Sequence, residues 1–314
     1  MSSQETVNLY NQENMTDAAT KVLLVNCAVN VPLALTAIIG NSLVLHVVRK
    51  SPTLRSPSLV LLCGLAMSDL AVGTVVQPLF IANDLITVYS RSQRLKRVFL
   101  GIYDAFGFSL CGISLCTVTA IGVDRLIAVV KSLLYPSIVT IPRVRRVLVA
   151  IWSICFILAG ACFWQEKILL ISLGTVICAC LCISTICHVK IYKTVRYHQN
   201  AIQRQFLAVE TNTGHVNKVT SLKKSAFNNF IVFLVLIICY SPYVVVFYVV
   251  TSVNPMHILI ARSLTSTIVF ISSSLNPFLC CWRVCEIREA VKQTCRKLLC
   301  CLTNWCQFFM RLSC

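Results

Sequence analysis

Charge is scarce in this chain. Lys, Arg, Asp and Glu make up only 12% of 314 residues, acids number 11 against 28 bases, and 57% of the residues are hydrophobic. With a mean hydropathy of +0.79, a water-soluble globule is excluded, because a domain of this size cannot bury that much apolar surface. A removable leader is not expected: residues 1–20 are polar and carry Glu5, Glu13 and Asp17 where a leader has its apolar core, so the first span is expected to direct its own insertion. Neither Cys-x-x-Cys nor a paired His spacing occurs, which argues against a metal centre. No nucleophile sits beside a base as an enzyme requires. Internal repeats and low-complexity runs are absent as well.

What the chain does have is long apolar runs. Segments able to cross a hydrocarbon core of roughly 30 Å fall at about 23–48, 58–85, 98–130, 145–163, 168–190, 226–250 and 260–282. The expected fold is an all-α membrane protein, a seven-helix transmembrane bundle followed by a short amphipathic helix. The expected organisation is a tail over 1–22, a membrane domain over 23–282 and a cytoplasmic helix and tail over 283–314. The loop 197–222 is polar and too short to form a domain.

With the N-terminus outside, Arg49, Lys50, Arg55, Lys131, Arg143, Arg145, Arg146 and the bases of 190–224 and of the C-terminal tail all lie in the cytoplasm. That asymmetry sets the orientation. The net charge of +17 is then a topogenic and lipid-facing charge, and nucleic acid is not an expected partner. Asn14-Met15-Thr16 is a glycosylation triplet on the outer tail. Most of the 19 cysteines lie in spans, where they read as small packing residues. Cys300 and Cys301 follow a basic amphipathic stretch and are candidates for S-acylation. In that stretch, Val284, Ile287, Val291 and Leu298 are expected toward lipid, with Arg288, Lys292, Arg296 and Lys297 toward headgroups.

Polar residues inside the spans are few and should face the bundle interior. They include Gly40-Asn41-Ser42 in the first span and Ser68-Asp69 in the second. In the third, Asp104, Phe108, Cys111, Ser114, Val118, Ile121 and Arg125 recur at steps of three and four and so share one face. The third span closes on Asp124-Arg125, a charge pair that is costly at a membrane boundary unless it has a task. Pro242 in the sixth span and Pro277 in the seventh each remove a backbone bond and are candidate hinges.

Gly40-Asn41, Leu65-Ala-x-Ser-Asp69, Asp124-Arg125, Trp152, Pro242 and Asn276-Pro277, each in its own span and in this order, resemble the rhodopsin-like, class A G-protein-coupled receptors. Leu133 to Thr140 and Val195 to His198 resemble melanocortin receptors, and Trp282 to Val291 is closer to adenosine receptors. The chain therefore looks like the melanocortin, adenosine, cannabinoid and lysophospholipid branch. The resemblance implies a plasma-membrane receptor with a heterotrimeric G protein as partner, an extracellular peptide or lipid as ligand and no enzymatic activity. The alternative from another class is a seven-helix transporter or channel, although no repeated halves of the usual transporter kind are visible.

The resemblance also implies residue roles. Arg125 meets the G protein when the sixth helix swings outward, and Asp124 restrains it at rest. Leu133 inserts into a pocket of the G protein, plain loop packing being the alternative. Tyr135, Tyr240, Pro242, Asn276 and Pro277 complete the switch. Asn41, Asp69, Ser114, Ser273 and Asn276 resemble an internal sodium site, the alternative being a protonated Asp69 in a hydrogen-bonded cluster. No other cofactor is implied. The outer pocket is expected to be lined by Asn83, Asp84, Asp104, Phe108, Cys111, Tyr240, Tyr243, Phe247, Thr267 and Phe270.

Departures from the family pattern are Leu126, Leu236, Tyr240 and Cys280, where tyrosine, phenylalanine, tryptophan and tyrosine are usual. Leu100 and Gly101 stand where the third helix usually carries a disulfide cysteine, so that bridge is not expected. Ser221-Leu222-Lys223-Lys224 offers no acid to hold Arg125 from the sixth helix, so a raised basal activity is expected. Asp104 argues for a cationic ligand unless it pairs with Arg97 or Lys167. Arg91, Arg94, Lys96 and Arg97 argue for an anionic one unless they form a solvated face.

Overall fold

The computed structural model describes residues 17–50, 56–160, 166–206, 230–246, 255–284 and 286–297, with side chains described except at 166–173, 198–206 and 255. Seven long helices run through it: α1 Asp17–Lys50, α2 Pro57–Tyr89, α3 Gln93–Val130, α4 Ile141–Gly160, α5 Glu166–Phe206, α6 Phe230–Val246 and α7 Pro255–Arg283. A one-turn helix, Tyr135–Ile138, sits between α3 and α4, and a last helix, α8, covers 286–297. Among the described residues no strand occurs. The protein is an all-α membrane bundle, in which each backbone polar group finds its partner inside its own helix, as a lipid environment demands.

The bundle's outside confirms the setting. Ile157 is 71% exposed, Ile39 65% and Val25 64%. Lipid is the solvent that welcomes such a surface.

Helix starts follow local chemistry. Ser56 caps α2 by accepting from the Leu59 amide at 3.3 Å, with Pro57 in the first position, where its missing N–H costs nothing. Ser92 caps α3 in the same way through Leu95. Midway along α2 the α-helix widens to a π turn at Val72–Val76, just before Gln77 and Pro78. Pro78 cannot donate to the preceding turn, and a π turn re-spaces the ladder there.

Three packed clusters hold the bundle. One joins α1, α2, α3, α7 and α8 at the Asp124 end, through Val44, Leu62, Leu65, Ile121, Cys280 and Ile287. A second joins α2, α3, α4 and α7 around Phe80, Tyr103, Ile113 and Phe270, with Phe80 set edge-on to Phe270 at 5.3 Å. The third joins α3, α5, α6 and α7 around Leu115, Ile177, Leu236, Tyr240 and Val269. Two close approaches need glycine. A β-carbon on Gly40 would lie 2.7 Å from Pro277 Cγ, and one on Gly73 would lie 3.2 Å from the Ala34 carbonyl oxygen.

The helices outrun the apolar stretches that announced them. α1 begins at Asp17 and α5 continues to Phe206, so the first ten residues of the expected loop 197–222 are helical. Hydropathy marks where lipid ends, whereas a helix of Lys, Arg and Gln continues into water without penalty. The amphipathic stretch after α7 needs a correction. Ile287 is fully buried and belongs to the cluster at the Asp124 end, with Val284 and Val291 packed against it. The apolar stripe of α8 faces the bundle and not the lipid, because the ends of α1, α2 and α7 offer it a closer apolar partner. Leu298 lies outside the described residues.

Candidate functional site

Three polar regions sit on α3 and its neighbours. At one end, Asp124 is 4% exposed and accepts hydrogen bonds from Ser58 Oγ and Tyr135 Oη, each at 2.7 Å. Ser58 and Tyr135 are themselves 3.1 Å apart. Burial, with the neighbouring Asp124 adding to it, pushes the Tyr135 phenol above its ordinary value of 10. The phenol therefore stays protonated and donates at neutral pH.

Arg125 approaches the same carboxylate only as an ion pair, its Nε 3.5 Å from Asp124 Oδ2 and without a hydrogen-bond acceptor. The acid's lone pairs are thus divided among α2, the short helix and Arg125. Asp124 and Arg125 meet at 3.5 Å, a long ion pair. Leu133 is 95% exposed, which removes loop packing as its role. Sequence reasoning missed Ser58; a serine at the start of the second span, level with the end of the third, was the available signal.

In the middle of the bundle, Asp69 has no solvent exposure. Ser114 Oγ donates to its Oδ1 at 2.9 Å and Asn276 Nδ2 to its Oδ2 at 2.6 Å, with Ser273 hydrogen-bonded to the same group. Ser68 Oγ lies 2.8 Å from Ser114 Oγ. Asn41 instead binds the Ala37 and Ser273 carbonyls at 2.8 and 3.3 Å; it braces α1 against α7 beside the acid and makes no bond to it. One carboxylate with the hydroxyls of Ser68, Ser114 and Ser273 is an all-oxygen donor set of the kind hard cations take. These residues fit a sodium ion.

At the other end lies a narrow cavity lined by Tyr103, Asp104, Phe108, Cys111, Leu115, Ile177, Tyr240, Tyr243, Val269 and Phe270 among others. Six of the expected pocket residues are here: Asp104, Phe108, Cys111, Tyr240, Tyr243 and Phe270. Tyr240 Oη donates to the Cys111 carbonyl at 3.2 Å and Tyr103 Oη to Ser266 Oγ at 3.0 Å. The free volume is about 40 Å³, against roughly 300–1,000 Å³ for small-molecule sites, so a ligand must move the walls apart to enter. Asp104 is paired with Arg262 of α7, a partner the sequence reading did not name; the side chain of Lys167, one of the two expected partners, lies outside the described residues.

Asn83, Asp84 and Thr267 were expected to line the cavity, and they do not. Asp84 is 2% exposed and turned away, into a chain of hydrogen bonds linking α1, α2 and α7. Asn30 donates to Thr267 at 2.7 Å, Thr267 to Asn26 at 2.9 Å, Asn26 to Ser263 at 2.7 Å and Ser263 to Asp84 at 2.6 Å. Asn83 adds a contact of 3.3 Å to the same carboxylate. A buried acid needs donors, and α1 and α7 supply them better than an apolar cavity does. The signal in the sequence was the paired spacing of Asn26 with Asn30 and Ser263 with Thr267, each four residues apart. Phe247, Asn14, Cys300 and Cys301 lie outside the described residues.

Pro242 and Pro277 are both inside helices. Leu236 and Tyr240 are buried in the cluster joining α3, α5, α6 and α7, and Cys280 in the one at the Asp124 end. The described cysteines are free thiols. Residues 40–167, from the middle of α1 to the start of α5, match the family model described as 7 transmembrane receptor (rhodopsin family). The match takes in Asp69, Asp104, Asp124 and Arg125.

Proposed function

We propose that the chain is a class A G-protein-coupled receptor of the plasma membrane, with its N-terminus outside. It binds an extracellular peptide or lipid in the cavity at the Asp104 end and activates a heterotrimeric G protein at the Asp124 end. The branch we favour is the one that includes melanocortin, adenosine, cannabinoid and lysophospholipid receptors. The observation that carries the reading is Arg125: a guanidinium near the end of α3, paired only loosely because its acid is already held by Ser58 and Tyr135.

The mechanism is a shift between two packings of one bundle. Widening of the cavity moves Tyr240 and Tyr243 on α6, the helix that carries Pro242. The movement is passed to the Asp124 end of α6, where it uncovers Arg125, and Leu133 stands ready as an apolar anchor for the partner. Asn276 and Pro277 couple α7 to Asp69 and to Gly40. A sodium ion bound by Asp69, Ser114 and Ser273 would supply a positive charge that favours the closed packing. Asn14 is the proposed glycan site, and Cys300 and Cys301 the proposed acylation sites.

The test is nucleotide exchange on a panel of purified heterotrimers, with receptor in lipid nanodiscs. Exchange above empty nanodiscs without ligand is expected, since 221–224 provide no acid for Arg125. No exchange on any heterotrimer under any ligand, together with transport of a labelled solute, would establish the transporter alternative. For sodium, ligand affinity is expected to fall several-fold between potassium and sodium buffers in wild type and to be equal in the two for Asp69→Asn. A sodium effect that persists in Asp69→Asn removes the ion from this site.

A further inference from the structure

Arg262 and Ser263 are neighbours on α7 and are tied in opposite directions. Ser263 donates to Asp84 within the α1–α2–α7 chain, whereas Arg262 reaches Asp104 on α3, one of the cavity's lining residues. The guanidinium has donors to spare, because its Nε is buried with no acceptor. It lies among aromatic hydroxyls: Tyr243 is within hydrogen-bonding reach, and Tyr103 is close enough to feel its charge.

The surroundings are basic. Arg91, Arg94 and Arg97 are exposed and Lys96 half-buried at the start of α3. Asp104 is the acid of the cavity lining and Asp84, in the buried chain, is within reach of Arg262's charge, so among the described residues at this end those four bases and Arg262 outnumber the acids. Such a field draws anions and repels cations. Below Arg262 the cavity is apolar, walled by Phe108, Leu115, Ile177, Val269 and Phe270.

We propose that this cavity takes a single-chain anionic amphiphile, its carboxylate or phosphate seated on Arg262 in competition with Asp104 and its apolar body lying between α3, α5, α6 and α7. A planar guanidinium offers two parallel N–H donors to such a head group. A cationic ligand would have to displace a guanidinium already in place, against the basic field. The competition is also the coupling: once the head group holds Arg262, α3 and α7 lose their ion pair at this end and keep only the neutral Tyr103–Ser266 hydrogen bond among the links described, while α7 is held through Ser263 to α1 and α2. Arg262 thus selects the ligand's charge. The inference rests on the receptor reading above and names the ligand class of that same cavity.

The test is direct binding to purified receptor in phosphatidylcholine nanodiscs, with no G protein present. The probes share an eighteen-carbon tail: oleate, oleoyl lysophosphatidate, oleyl alcohol and oleylamine, with an acidic peptide as a fifth arm. Oleate or the lysophosphatidate is expected to bind at least tenfold more tightly than the alcohol and the amine, and the comparison of the two anions separates a carboxylate from a phosphate source. Arg262→Gln is expected to lose that preference, and Asp104→Asn to bind the anion more tightly, because the competing carboxylate is gone. Should Arg262→Gln fail to fold, wild type and Asp104→Asn decide the matter alone. Preference for the amine, preference for the peptide, equal binding of all four lipids, or weaker anion binding in Asp104→Asn each overturns the proposal. Exchange measured separately distinguishes the readings: signalling without anion preference rejects only the ligand class, and anion binding without signalling rejects only the receptor.

Discussion

The two ends of α3 each carry an aspartate close to an arginine, and the two pairs are built differently. At one end, Asp104 is joined to Arg262, 158 residues away on another helix. At the other, Asp124 stands beside Arg125, and their closest approach is 3.5 Å. The first pair is a link between helices. In the second, Ser58 and Tyr135 occupy the carboxylate, and the guanidinium is left over. A pair between helices fixes a packing; a pair of neighbours on one helix fixes nothing beyond itself. The first is suited to sensing a ligand and the second to waiting for a partner.

The largest effect that separates the two ends is expected from Arg125→Gln. If this guanidinium contacts the G protein, exchange falls by roughly 100-fold, to the level of receptor-free nanodiscs, while ligand affinity without G protein stays at the wild-type value. Exchange at matched receptor content is the measurement. Undiminished exchange would mean that the Arg125 region is only a structural end of α3.

A smaller effect of opposite sign is expected from Asp124→Asn. The substitution keeps an acceptor for Ser58 and Tyr135 but removes the only acid that Arg125 pairs with among the described residues. Arg125 is then released, and basal exchange rises by about fivefold. Basal exchange below wild type would show that Asp124 serves to position Arg125 for the partner.

The same contrast explains how much the sequence disclosed. Regular spacing and depth are one-dimensional properties, so the seven spans and the shared face of α3 could be read from them, whereas the grouping of Asp69 with Ser114 and Asn276 came from the resemblance. Partner choice across helices is not one-dimensional. Asp84 and Asp104 are carried by neighbouring helices, and the rotation of each helix about its own axis sends the first into a chain with α1 and α7 and the second into the cavity. Rotation depends on close contacts such as Gly73 against Ala34 and on the π turn Val72–Val76, which no apolar period records. Ile287 teaches the same point: an apolar stripe next to a membrane faces lipid only when no protein surface is nearer.

The smallest and most discriminating effect is expected from Tyr135→Phe. The phenol donates to Asp124 at 2.7 Å, and a hydrogen bond to a charged group contributes about 1.5–3 kcal/mol, less where it is open to solvent as here. Removing it frees a lone pair of the carboxylate without removing the charge, so Arg125 gains a place as donor and is held more firmly. Basal exchange should therefore fall, by about two- to fivefold, although the substitution loosens the loop that carries Leu133. In the double variant with Asp124→Asn that fall should vanish, since the two substitutions act through one carboxylate and are not additive. A rise in basal exchange, or a fall of the same size in the Asp124→Asn background, would mean that Tyr135 acts on the loop and not on the acid, and the division of Asp124 among its partners would no longer explain why Arg125 is loosely held.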